Sequence, residues 1–191
     1  MFGKKINNVA VICHDAGAAN LMAPWIKFYK YKYFFLVKGA AKNIFREYIP
    51  NIKIYNSLES IIKNSDVVIT GTSTISDIEN QARKMALFYN KKVIAVLDHW
   101  ELYKESLFYR NKLYLPDEIW VTNKHAFIKA KKELHKVKIK KKINFFEQPF
   151  KKIKKNKKKI NHFLYFLEPI NNSIEYLALK KFLNFLNNLE K

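Results

Sequence analysis

The chain has 191 residues, 49% hydrophobic and 15% aromatic, with a formal net charge of +20. So much apolar material excludes an intrinsically disordered protein despite the charge, and the length suits one domain with an extension. The single cysteine, Cys13, excludes an internal disulfide framework, no Cys or His spacing matches a zinc site, and no stretch approaches the ~18 apolar residues of a membrane span.

At the N-terminus the apolar stretch Val9–Cys13 is too short for the core of a signal peptide before His14 and Asp15 return polarity. A soluble, cytoplasmic protein is expected, one that can still lie against a membrane surface. From there strand and helix signals alternate. Asn8–Cys13 (NVAVIC) reads as the first strand, followed by the loop HDAGAAN and a helix from Ala18 to Tyr29 with Pro24 awkward inside it. Tyr33–Val37 is a second strand leading to a helix over Ala40–Tyr48, and Ile52–Tyr55 a short third. Ser57 caps the small helix SLESIIKN. Asp66–Thr70 is a fourth strand, followed by the loop GTST and the strongest helical pattern, Ile75–Tyr89. Val93–Leu97 and Glu118–Thr122 complete the strands, and a helix spans Lys124 to about Leu134.

These strands are continuous apolar runs, the signature of strands covered on both faces. The sequence therefore predicts an α/β fold over residues 1–150, Rossmann-like and doubly wound on a mainly parallel sheet. Residues 151–160 (KKIKKNKKKI) read as a lysine-rich linker. Residues 161–191 read as a β-α extension or the start of an incomplete second domain, with a strand at Phe163–Leu167 and an amphipathic helix at Ser173–Leu189.

From Lys124 to Lys159 sixteen lysines face only Glu133 and Glu147. Such a surface attracts nucleic acid, anionic lipid or a phosphorylated substrate. The same excess, in a chain also heavy in Asn, Ile, Phe and Tyr, is what an AT-rich coding sequence yields. Lysine rather than arginine supplies nearly all of the charge, which argues against a dedicated base reader. No zinc, helix-turn-helix or RNP-like pattern accompanies it, so no specific nucleic-acid partner is expected.

In an open α/β sheet, ligands bind beyond the carboxyl ends of the strands. Three loops have that position. In the first, Gly17 and its alanines allow close backbone approach, the helix start favours an anion, and His14 and Asp15 supply a base or a hydroxyl-binding pair, with Asn20 following. It has neither a G-x-G-x-x-G fingerprint nor a Walker lysine, which argues against NAD and P-loop chemistry. In the second, Gly71, Thr72, Ser73 and Thr74 offer hydroxyls and N–H groups for a phosphate or sugar, or serve simply as helix caps. In the third, Asp98, His99 and Trp100 follow a buried strand, where packing seldom calls for such residues. Trp25, Trp120, His125, His135 and His162 read as structural.

The order HDAGAAN, ITGTS, VIAVLDHW and LPDEIWVTNKHAFIKAKKEL over residues 8–150 resembles the N-terminal domain of bacterial GT-B-type glycosyltransferase-like proteins of surface polysaccharide synthesis, including the group around CDP-glycerol glycerophosphotransferases. The resemblance implies an acceptor-side half, with capsule or lipopolysaccharide synthesis as the process and Asp98, His99, His14 and Asp15 as catalytic candidates. Gly17, Asn20, Gly71–Thr74 and Trp100 would contact ligand. It implies no resident cofactor or metal, but a nucleotide-activated sugar or glycerol donor and a sugar or lipid-linked acceptor. A donor-domain partner chain or a homodimer would complete the site, so the isolated chain is expected not to transfer sugar efficiently. A non-catalytic sugar- or nucleotide-binding module and a basic nucleic-acid-binding protein are the competing readings.

Overall fold

The computed structural model describes residues 6–73, 75–99, 104–145 and 173–189. Contacts divide the chain into two units, Met1–Ile153 and Lys154–Lys191. The first opens with strand β1 (Asn8–Cys13), helix α1 (Ala16–Phe28), β2 (Lys32–Val37), α2 (Gly39–Tyr48) and α3 (Leu58–Lys63). It continues with β3 (Val67–Thr70), α4 (Ile78–Phe88), β4 (Lys92–Val96), a short hairpin of β5 (Phe108–Tyr109) and β6 (Lys112–Leu113), β7 (Glu118–Val121), α5 (Lys124–Glu133) and β8 (Lys138–Lys141). The second unit contributes α6 (Ser173–Leu189), with the predicted bounds.

Six strands form one all-parallel sheet in the order β2-β1-β3-β4-β7-β8. Alternation along each strand feeds two cores. Val9, Val11 and Cys13 pack under α1 and α2, whereas Ala10 and Ile12 pack under α3 and α4. Ala95, Ile119 and Val121 meet α5 on the same side as α3 and α4. The protein is thus doubly wound and Rossmann-like. The chain leaves β1 toward β2 and leaves β3 toward β4, so strand order reverses between β1 and β3, and their carboxyl ends flank the crevice where this architecture binds ligands.

The local differences from the sequence reading have identifiable causes. Ile52–Tyr55 forms no strand, only a single bridge from Ile54 to Phe35. Helix α4 begins at Ile78 rather than Ile75, because the Ser73 hydroxyl accepts the backbone N–H groups of Ile75 and Ser76 and holds them in a turn. The edge strand β8, with sequence KIKK, escaped the sequence reading, as did the β5–β6 hairpin, whose turn places Arg110 and Asn111 at positive φ. The proposed linker, 151–160, and the proposed strand Phe163–Leu167 lie outside the described residues. Among the described residues no helix is long and apolar enough to cross a membrane.

Candidate functional site at the carboxyl edge

Strand β1 ends at the β1/β3 reversal and delivers His14 and Asp15 there. His14 Nδ1 and Asp15 Oδ1 lie 2.6 Å apart, and both side chains are about a quarter exposed. The carboxylate selects the tautomer with its proton on Nδ1 and leaves Nε2 able to accept one. That edge of the ring lies over Gly39, where a Cβ would come within 2.8 Å of Cε1 and Nε2. Gly39 also has φ +50, so a side chain there would both strain the backbone and cover the imidazole.

Asp98 reaches the same place from β4. It is solvent-exposed, yet its carboxylate leans on α1 and accepts the backbone N–H of Ala18. A Cβ at position 17 would sit 1.7 Å from its Oδ2, so Gly17 makes room for the carboxylate. Desolvation against α1 raises the Asp98 pKa, its own backbone hydrogen bond and that of Ala18 oppose this, Asp15 adds to the rise, and His99 counters it. The first turn of α1 contains no acidic residue, and Asp15 makes no side-chain cap, so Asp98 supplies the anion that this helix start favours.

Beneath these groups lies a buried polar pair that the sequence reading missed. Glu79 and Arg83, one turn apart on α4, are both fully buried. Glu79 Oε1 accepts the backbone N–H of His14 at 2.9 Å, which ties the catalytic candidate to α4. Arg83 donates to the Thr70 hydroxyl and the Gly71 carbonyl, both at 2.9 Å, to the Ser106 carbonyl at 2.7 Å, and to Asn80. One guanidinium therefore fastens the end of β3 to the segment following β4. Burial pushes Glu79 up to about 7 against the His14 hydrogen bond and the Arg83 charge, and pulls Arg83 down to about 10. Cys13, buried among Glu79, Asp98 and Asp15, is raised by burial first and by those carboxylates next, which favours the neutral thiol.

The structure brings together His14, Asp15, Gly17, Gly71, Thr72, Ser73, Asp98 and His99 at one edge of one sheet. The hydroxyls of Thr72 and Ser73 are engaged within the fold: Thr72 donates to the Val96 carbonyl at 3.3 Å, and Ser73 caps its own turn. Asn20 is half-buried in the second turn of α1, His99 is exposed beside Asp98, and Thr74 and Trp100 lie outside the described residues. Among the described residues no cluster of His, Cys, Asp and Glu is arranged to hold a metal ion. A buried α4 residue facing a strand end is the signal that sequence reasoning lacked, and only the small Ala82 and Ala86 beside Glu79 and Arg83 hinted that this face lies inside. Compared with known proteins, the chain matches no protein-family model, no curated protein and no solved structure.

Proposed function

We propose that this domain is the acceptor-binding half of a GT-B-type glycosyltransferase-like protein of surface polysaccharide synthesis, with His14 as the base that takes the acceptor's hydroxyl proton. One observation carries the reading: the Asp98 carboxylate already occupies the start of α1, next to the His14–Asp15 pair. A diphosphate at that helix start would meet Asp98 and Asp15, whereas a neutral sugar or glycerol hydroxyl finds acceptors in Asp98 and His14. The site thus suits the hydroxyl partner of a transfer reaction better than the anionic donor.

In that reaction the acceptor oxygen forms a bond to the activated carbon of a nucleotide-linked sugar as the bond from that carbon to the diphosphate breaks. The diphosphate leaves with the electron pair, and His14 Nε2 receives the hydroxyl proton while Asp15 stabilises the resulting imidazolium. The donor would be held by a separate domain. Titrating the purified chain with neutral oligosaccharide or glycerol-bearing acceptors tests the assignment, with saturable binding lost in His14→Ala and Asp98→Ala. Tight binding of a UDP-, CDP- or GDP-sugar, with turnover abolished by Asp98→Ala, would instead make the chain a complete enzyme.

A further inference from the structure

Away from the carboxyl edge, the face of the sheet under α1 carries an apolar cavity of about 260 Å³. Its described lining comes from α1, the segments flanking it, and the strands, with Trp25, Tyr29, Tyr31, Tyr33 and Trp120 prominent. A smaller, adjoining cavity shares Trp25, Tyr29 and Trp120 and adds Ile143 and Phe145. The rim is unusually open for such side chains: Phe28 is 66% exposed, Ile143 61%, Tyr29 47% and Tyr31 46%. Phe28 meets Tyr29 edge to face at 5.2 Å and lies tilted against Phe145 at 5.6 Å, so these residues form one surface rather than scattered exposures. Contiguous exposed apolar surface of this kind on a monomer marks an interaction site.

The charges lining it are mostly lysines. Lys27, Lys30 and Lys32 flank the aromatics in sequence, and Lys140, Lys141 and Lys142 lie on the facing edge strand and just past it. Glu118 is the only acid lining either cavity among the described residues, and it is neutralised between Lys92 at 3.0 Å and Lys140 at 2.9 Å. The Lys142 ammonium lies over the Trp120 ring, 4.2 Å from its centroid.

We infer that this aromatic, lysine-rimmed face docks onto an anionic lipid bilayer, with Phe28, Tyr29, Tyr31 and Ile143 entering the interfacial region. Tyr and Trp favour the headgroup level of a membrane, exposed Phe and Ile favour the acyl boundary, and lysines near an anionic surface add attraction that salt screens. Association of this kind is peripheral and needs no spanning helix. It stands independently of the acceptor assignment, because it uses none of the carboxyl-edge groups.

The test is co-sedimentation of the full chain with vesicles of phosphatidylcholine alone or mixed with phosphatidylglycerol, together with two fluorescent reporters. Binding should require phosphatidylglycerol and weaken with salt. Measured as the difference from the parent, whose own Trp25 and Trp120 report on the same face, the emission added by Phe28→Trp should shift to the blue and be quenched by brominated acyl chains, whereas that added by Phe88→Trp, exposed on a helix of the opposite face, should remain unquenched. Phe28→Ser combined with Ile143→Ser should keep the melting temperature and lower vesicle affinity about tenfold. Three results would overturn the inference: no binding to phosphatidylglycerol vesicles; equal quenching of the two reporters; or unchanged affinity in the serine variant with loss of binding when the lysines of 151–159 become Gln. Conversion of a dimer to a monomer by the serine variant, with no lipid binding by the parent, would likewise overturn it and make the face a contact between copies.

Discussion

Two regions of the first unit differ in almost every physical respect although α1 takes part in both. At the carboxyl edge Asp15, Glu79 and Asp98 converge, in a chain of net charge +20, and hydrogen bonds from Arg83, the backbone of His14 and the start of α1 tie strand ends and helices together. On the flank of α1 Phe28, Tyr29 and Tyr31 are open to solvent, and lysines outnumber the one acid, Glu118, among the lining charges. The contrast teaches that net charge describes the molecule poorly. Lysines ring the described aromatic face, while Asp15, Glu79 and Asp98 gather at the candidate site. A rigid, cross-linked edge is also what a base needs if it is to stay within hydrogen-bonding reach of one hydroxyl.

The largest effect at the carboxyl edge is expected at Arg83. Arg83→Met leaves the Gly71 and Ser106 carbonyls, the Thr70 hydroxyl and the Asn80 side chain without their donor and removes the positive charge beside Glu79, and should cost about 4 kcal/mol in urea unfolding. A loss below about 1 kcal/mol would mean that the network does not hold the edge together.

Next in size is the pH dependence set by Glu79. Folded, this carboxyl keeps its proton up to about pH 7; unfolded, it releases it near its ordinary 4.5. Between those values the folded state binds more protons, so this group's contribution to stability falls as pH rises through the window and stays lost above it. Glu79→Gln should remove that decline and should be more stable than the parent above the window by up to about 3 kcal/mol. Melting curves for both proteins on either side of the window decide it, and parallel curves would contradict the assignment.

Gly17→Ala isolates a smaller effect. Alanine ordinarily improves a helix by about 1 kcal/mol, but here its Cβ evicts the Asp98 carboxylate, which as a cap contributes a similar amount. The substitution should be neutral or destabilising in the parent and stabilising when Asp98 is already Ala. The coupling in a double-mutant cycle should be about 1–2 kcal/mol, and additivity would show that the two residues do not meet. At the small end, Phe28→Ser on the aromatic face should change stability by no more than about 0.5 kcal/mol, since its ring is mostly in water.

How much of this was legible depended on what each residue buries. The strands NVAVIC, VVIT and VIAV declare themselves because both faces are covered, so every position is apolar or small. The edge strand KIKK does not: only Ile139 turns to the core, and lysines guard the open edge, which in sequence is indistinguishable from a charged loop. The loops of the candidate site were visible because His14, Asp15 and Asp98 interrupt apolar runs at strand ends. Glu79 and Arg83 were not, since a Glu and an Arg four apart on a helix look like a solvated ion pair until the neighbouring strands show that this face is inside. Trp25 and Trp120 read as packing residues and do pack, edge to face at 5.6 Å, but the open surface around them arises only when α1 and β8 come together.

The central claim, a hydroxyl-selective site built on His14, is tested most directly by following the histidine ring resonances of the intact chain by NMR while titrating ligands. A neutral oligosaccharide or glycerol-bearing acceptor should shift the His14 and His99 resonances saturably, leave His125 and His135 in place, and lose its effect in Asp15→Asn. Saturable shifts of His14 with a nucleoside diphosphate, and none with the neutral acceptors, would place an anion where the Asp98 carboxylate stands and contradict the account.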